Sequence, residues 1–365
     1  MPVSTFRRLF MDSKNLLRSL AQRFLTPLFF FSPLLGSELY AQIKPVQPPA
    51  AECCRLYLSD RPQNTCSNLD LFATALFWHA TESVSWADVA FIDNPNDQTH
   101  RFKNVSFGWD PGFRVGVGYQ MDYDGWDTQL TYTWFRTRSF ESIQPGSGII
   151  KPSFWGFTTA LTEKFLSGQI HWNINFNGLD WDLGRAFWIG KDLSIRPLIG
   201  LKGGLIDQKI YTNWQNPTIS FPLLETTLAA TENLKQNFRG LGPKGGVGGK
   251  WVLGNLDNYV FSLIADFAAS FLWGHWKFKD HFQDNFLVSV HTEMANSNFG
   301  ALVLQSLIGL GFDFNFRQDQ SHFSFKMGYE IQDWFSAYQL FDDNTGQHNN
   351  DLILQGLTLD FRLDY

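Results

Sequence analysis

Residues 355–365 alternate without a break, with Leu357, Leu359, Phe361, Leu363 and Tyr365 on one side and Thr358, Asp360, Arg362 and Asp364 on the other. Successive side chains of a strand point to opposite faces, so this segment is a β-strand with one apolar face and one charged face. Such a strand suits a wall between lipid and a watery lumen better than a sandwich core. Its length matches the roughly nine to eleven residues that a tilted strand needs to cross a bilayer. A terminal strand of this kind, closed by an aromatic residue, is also the address that barrel-insertion machinery reads in outer-membrane proteins. Leu357, Leu359, Phe361, Leu363 and Tyr365 are the residues that would carry it.

The same period recurs over 69–80, 113–121, 126–136, 166–176, 193–211, 238–253, 259–273, 301–316 and 323–331. Asp122-Tyr123-Asp124-Gly125 joins two of these segments with good hairpin chemistry. Connections alternate in length: long ones at about 81–111, 137–160, 213–236, 275–299 and 335–350, short ones near 122–125, 254–258 and 317–321. Outer-membrane barrels have this asymmetry, with short periplasmic turns and long outer loops. Residues 177–192 break the alternation and are taken as a longer periplasmic connection. The expected fold is all-β, a transmembrane antiparallel β-barrel of about ten strands over 69–365, or of twelve or more if the long loops hide a hairpin.

Composition agrees with that class. The chain holds 14 Trp, 10 Tyr and 36 Phe, yet no stretch after residue 41 offers eighteen consecutive apolar residues. Helical membrane spans are excluded on that ground, whereas barrel strands hide their hydrophobicity in alternation and use aromatic girdles. At the other end, Arg7, Arg8, Lys14, Arg18 and Arg23 precede a short apolar run and the cleavage-compatible Leu39-Tyr40-Ala41. Residues 1–41 are therefore expected to be a secretory signal removed on export. Its removal leaves 24 basic against 33 acidic residues, a net charge near −9, with no basic tract to follow a nucleic-acid backbone.

Residues 42–68 form a Pro-containing periplasmic segment that holds all three cysteines, Cys53, Cys54 and Cys66. An odd count in an exported chain leaves at least one thiol for an intermolecular bond, and adjacent Cys53 and Cys54 pair with each other only under strain. Three thiols without a His in spacing do not close a zinc site. No metal or other cofactor is expected.

Chemistry-bearing residues sit on the polar faces. Arg114, His171, Arg196, Lys202, Asp266, Lys326, Glu330, Asp360 and Arg362 are the candidates for lining the lumen, where rings of opposed charge set a pore's selectivity. His275, His281 and His291 fall near Asp280, Asp284 and Glu293, the residue types of a barrel hydrolase, but solvated loop charges account for them better. Gly242 to Gly249 surround Lys244 without the helix start that phosphate binding needs, so a close-packed strand is expected there. Asp93-Asn94-Pro95-Asn96-Asp97 lacks the spacing of a calcium loop.

Several stretches resemble a known family, the pore-forming major outer membrane proteins of the Legionella and chlamydia-like bacteria. They are Trp109-Asp110-Pro111-Gly112-Phe113-Arg114-Val115-Gly116-Val117-Gly118-Tyr119, Gly125-Trp126-Asp127, Ile195-Arg196-Pro197 with Gly200-Leu201, Gly240-Leu241-Gly242-Pro243, and Gly328-Tyr329-Glu330 with Trp334. The resemblance implies an abundant, surface-exposed, pore-forming envelope protein, and the residues themselves give no reason to expect catalysis. The expected activity is passive diffusion of small hydrophilic solutes through the outer membrane of a Gram-negative-type bacterium. The expected partners are outer-membrane lipid, the insertion machinery, the solutes and further copies of the chain, joined by disulfides or as a homo-oligomer. The rival expectation is a structural or adhesive surface protein, crosslinked through its cysteines and contacting a host through its loops.

Overall fold

A computed structural model describes residues 68–364 apart from 95–96, 122–124, 145, 147, 153–164, 222–223, 257–258, 286–288, 317–320 and 343–345. The 1–41 leader, the segment carrying Cys53, Cys54 and Cys66, and Tyr365 lie outside the described residues.

Among the described residues fourteen strands follow one another: β1 (Asn68–Glu82), β2 (Ser85–Asn94), β3 (Asp97–Asn104), β4 (Trp109–Gln120), β5 (Trp126–Ile143), β6 (Ile149–Pro152), β7 (Ser167–Arg185), β8 (Phe187–Ile189), β9 (Leu193–Phe221), β10 (Leu224–Leu256), β11 (Tyr259–Asp284), β12 (Ser289–Phe316), β13 (Ser321–Asp342) and β14 (Gly346–Asp364). Ten of them close on themselves in the order β1-β4-β5-β7-β9-β10-β11-β12-β13-β14, and β14 pairs back onto β1 from Asp70↔Asp364 to Glu82↔Leu352. Every neighbour is antiparallel. Closure satisfies the backbone donors and acceptors that hydrocarbon cannot, the condition for a sheet to span a membrane. The β4–β5 turn behaves as its sequence demands: Gly125 sits at φ 69°, where a Cβ is disfavoured, and the Met121 amide donates to the Trp126 carbonyl at 2.8 Å.

The outward face carries an apolar band. Leu71, Val115, Leu130, Leu201, Val247, Phe267, Ile308, Met327 and Phe361 all stay exposed on it. Aromatic residues rim it, with Trp109 and Trp273 above, and Trp188, Trp251 and Tyr259 below. From Leu241 to Trp251 a strand tilted by about 40° climbs about 25 Å, the height of the hydrocarbon-facing band in such barrels.

The strands do not stop at the band, which corrects the expected loops. Stretches 213–236 and 275–299 belong largely to β9, β10, β11 and β12, whose ladders continue with pairs such as Lys235↔Lys209 and Lys279↔Glu293. Above the band the outer face meets water, so the two faces exchange polarity. In β7, Leu179, Trp181 and Leu183 point outward and Asp180 and Asp182 inward below Gly178. Above it Gln169, His171, Asn173 and Asn175 point outward, and Ile170, Trp172, Ile174 and Phe176 are fully buried inside. Residues 179–185 are therefore the membrane-crossing part of β7, not a periplasmic connection, and the turn is confined to 186–192 with the short β8.

The long connections at 81–111 and 137–160 do hide strands, but outside the barrel. β2, β3 and β6 form a separate three-stranded sheet. Side chains of this outer region close over the barrel's end: Trp86 packs on Trp214 at 5.3 Å between ring centroids, and Phe107 on Trp172 at 5.6 Å.

Candidate functional site: a lumen in two zones

Within the band the lumen is charged. The Arg114 guanidinium on β4 reaches past β1 and β14 to Glu330 on β13, donating from Nη2 to Oε1 at 2.7 Å and from Nη1 to Oε2 at 3.1 Å. Glu330 also accepts from Gln332 Nε2 at 2.9 Å and from Thr358 Oγ1 at 3.1 Å. Across the wall, Arg196 grips Asp127 with two nitrogens, one at 2.9 Å. Lys202 meets Asp180 at 3.2 Å, and Lys244 bridges Asp180 and Asp182 at 3.0 and 2.9 Å. Nearer the rim, Lys250 pairs with Asp313 at 2.6 Å. Paired groups of opposite sign let a narrow lumen hold many charges at tolerable cost, since an unpaired one there would carry the full desolvation penalty.

Most of these residues line a cavity of about 430 Å³ that runs down to Gln120, Gly125, Ala186 and Trp188 at the short-turn rim. Arg114, Arg196, Asp266, Lys326, Glu330, Asp360 and Arg362 all line it, and Lys202 is buried beside it against Asp180. Thr74 donates to Asp360 at 2.7 Å, and the Arg362 guanidinium lies over the Phe72 ring at 5.0 Å. Eight of the nine candidates thus share one vestibule. His171 does not. It faces outward above the band, with its ring 4.4 Å from that of Phe140 and 6.3 Å from that of Tyr211.

Above the vestibule the lumen is filled by an aromatic and aliphatic core that also encloses the acids Glu82, Glu232, Asp280 and Asp284. Phe176 and Trp334 touch at 5.2 Å, and Trp172 and Tyr338 at 5.4 Å. Their strands, β7 and β13, stand diametrically opposite in the ring of ten, so these contacts span the whole barrel. Gly204 on β9 makes room for the crossing, because a Cβ there would meet the Trp334 ring at 2.5 Å. Trp334 forms the floor between zones, with the Lys202 ammonium 5.3 Å below its ring centre and its indole nitrogen donating to Gln332 at 3.4 Å. A few polar groups are enclosed higher up. The Glu82 carboxyl accepts from Gln208 Nε2 at 2.9 Å, and burial pushes it well above the usual carboxylate range.

Six charged vestibule partners escaped the sequence reading, among them the Lys250–Asp313 pair. Asp127 alternates with Trp126 in a recognised strand and was legible there. Asp180 and Asp182 alternate strictly with Leu179, Trp181 and Leu183, a signal overruled by the turn-like residues on either side. Lys244 sits among glycines whose strand was recognised without its facing. The hydrolase constellation does not assemble, because Asp280 and Asp284 are buried inside the barrel while His281 and His291 stack outside it at 4.0 Å. Glu293 is engaged by Lys279, whose hydrogen bond lowers its carboxyl's pKa.

A closed antiparallel barrel with an apolar outer band and a charged lower lumen defines a membrane-spanning protein of the outer-membrane class. The chain belongs to the family described as the Legionella pneumophila major outer membrane protein precursor, whose model matches residues 61–365. No curated protein matches it in sequence. Among solved structures it is similar to the outer membrane protease OmpT from Escherichia coli, at 9% identity and a TM-score of 0.35, covering 82% of this chain and 96% of that one. A major outer membrane protein from Thermus thermophilus is similar at 12% identity and a TM-score of 0.31, covering 82% and 100%. The attachment invasion locus protein Ail of Yersinia pestis follows at 11% identity and a TM-score of 0.23, covering 81% and 97%.

Proposed function

We propose that the protein is a closed-lumen envelope barrel whose work is done at its outer surface, as a structural and surface-presenting component, rather than a standing diffusion pore. One observation carries this reading: the ring contacts of β7 with β13, which cross the lumen inside a fully buried apolar core. Removing one such aromatic costs about 3–5 kcal/mol in a packed core, so these rings contribute to the stability of the closed lumen as well as blocking it. The polar outer half and the β2-β3-β6 sheet are what such a protein would present.

The experiment is planar-bilayer conductance of the refolded mature chain beside Trp172→Ala/Trp334→Ala. The closed reading expects no steady conductance from the parent and measurable conductance from the variant. Steady ohmic conductance from the parent would overturn it.

A second reading, passive passage of small hydrophilic solutes, is favoured by the ion-paired vestibule that reaches the short-turn rim. In that reading the aromatic core yields when solutes pass, the parent itself conducts, and Lys326→Glu shifts its reversal potential toward cations.

A further inference from the structure

Above the apolar band, one side of the barrel gathers positive charge on a chain that is acidic overall. Along a single row of the ladder, Arg138 on β5 faces Asn173 on β7, which faces Lys209 on β9, then Lys235 on β10 and Lys279 on β11. Three lysines thus stand directly opposite one another on adjacent strands. One row lower lies Lys277, and one row lower again Arg239, just above Leu241 and Trp273 of the band. Only Lys279 has an acid partner, Glu293; Arg138, Lys209, Lys235, Lys277 and Arg239 make no ion pair among the described residues. Asp207, the one acid between these rows, accepts from Asn237 instead. On the far side of the barrel, the outward residues above the band include the acids Asp333 and Asp351.

Like charges placed directly opposite across a ladder destabilise it, so an unneutralised row of this kind calls for an anion. Its position says which one. The row rises from the same strands that present Leu205, Leu241, Phe271 and Trp273 to hydrocarbon, and Lys and Arg stems reach several ångströms toward the interface. A ligand that fits both surfaces has acyl chains below and phosphate above. A free phosphate is poorly served here, because the depression on this face is lined by the acids Glu293 and Asp280 as well as by Lys235, Lys279, His281 and His291.

We infer that the β5-β7-β9-β10-β11 face above the band is a binding site for the phosphate groups of a lipid in the outer leaflet of the membrane. The acyl chains of that lipid lie along the apolar band beneath.

The test uses the refolded full mature chain in neutral detergent, titrated with a bisphosphorylated lipid A, the same glycolipid without phosphate, and inorganic phosphate. Tryptophan fluorescence and the thermal midpoint report binding. The phosphorylated lipid raises the midpoint in a salt-sensitive way, and Lys209→Gln/Lys235→Gln lowers its affinity about thirtyfold, from about a decade or less for each basic residue at a membrane surface. Without lipid, the same variant melts at or above the parent, because it relieves repulsion. Equal affinity of parent and variant, or equal binding of the dephosphorylated glycolipid, would overturn the inference. So would competition by inorganic phosphate at the lipid's own concentration, which would mean a free-anion site.

Discussion

Glu330 is the residue on which the lower lumen converges, with Arg114, Gln332 and Thr358 all donating to it. Arg114→Met leaves that carboxylate without its counter-ion and costs about 3–5 kcal/mol, whereas Arg114→Met/Glu330→Leu costs much less because both charges leave together. Urea unfolding of the four proteins in detergent measures the coupling; a double variant as unstable as the single one would show that the pair does not act as a unit. Glu82 gives a second residue-scale outcome. Burial raises its carboxyl above the ordinary value of 4.5, opposed by the Gln208 hydrogen bond and assisted by Asp351. Below that ordinary value folded and unfolded states are both protonated, and Glu82 takes nothing from stability. As the pH rises past it the unfolded chain ionises while the folded one holds its proton, so stability falls until the raised folded pKa is passed. Glu82→Gln abolishes that loss. The variant's thermal midpoint should equal the parent's near pH 4 and exceed it at pH 8, and a difference constant with pH would refute the account.

At the scale of the element, β7 shows how a strand serves two solvents. Leu183→Arg, in the row of Ile199 and Gly245 near the middle of the band, places a cation against hydrocarbon at a cost of about 2–4 kcal/mol, so it should block insertion. His171→Arg, also outward but above the band, should fold and insert like the parent. Heat-modifiable electrophoretic mobility distinguishes the two, and failure of both would mean that the band reaches higher than the polarity switch at Gly178. β14 offers the complementary test: its deletion parts β13 from β1 and leaves unpaired backbone groups in lipid at several kcal/mol each, so no membrane-inserted protein should be recovered. Nine of the ten barrel strands were legible from alternation at band height, whereas β7 was legible only over 166–176, above the band, its band-height stretch 179–185 being masked by turn-like residues on either side. Eight of the nine vestibule candidates were legible for the same reason, once the charged face was assigned to the lumen. His171 was misplaced by that very rule, since alternation reports that two faces differ but not which one is wet. The upper ends of β9 to β12, beyond the stretch 193–211 that includes Lys209, are not legible as strand because Lys235, Lys277 and Lys279 occupy outward positions that a lipid-facing strand would fill with Leu or Phe.

For the barrel as a whole, the consequence of those long ladders is a continuous strand-paired wall that extends beyond the apolar band. Trypsin added outside vesicles that carry the inserted protein should not cut after Lys209, Lys235, Lys277 or Lys279, exposed as these residues are, because each is tied into a ladder on both sides. Rapid cleavage there would restore the loop reading. The exchange of polarity along each strand also bears on how the barrel reaches its place. A chain delivered from the periplasmic side must send its outer half through the hydrocarbon first, and that half wears its lysines and arginines outward. At about 2–4 kcal/mol for each cation at the midplane, a preformed barrel faces a toll no thermal fluctuation meets. Entry one hairpin at a time would put far fewer cations in hydrocarbon at once and would let the apolar band anchor each strand as it arrives.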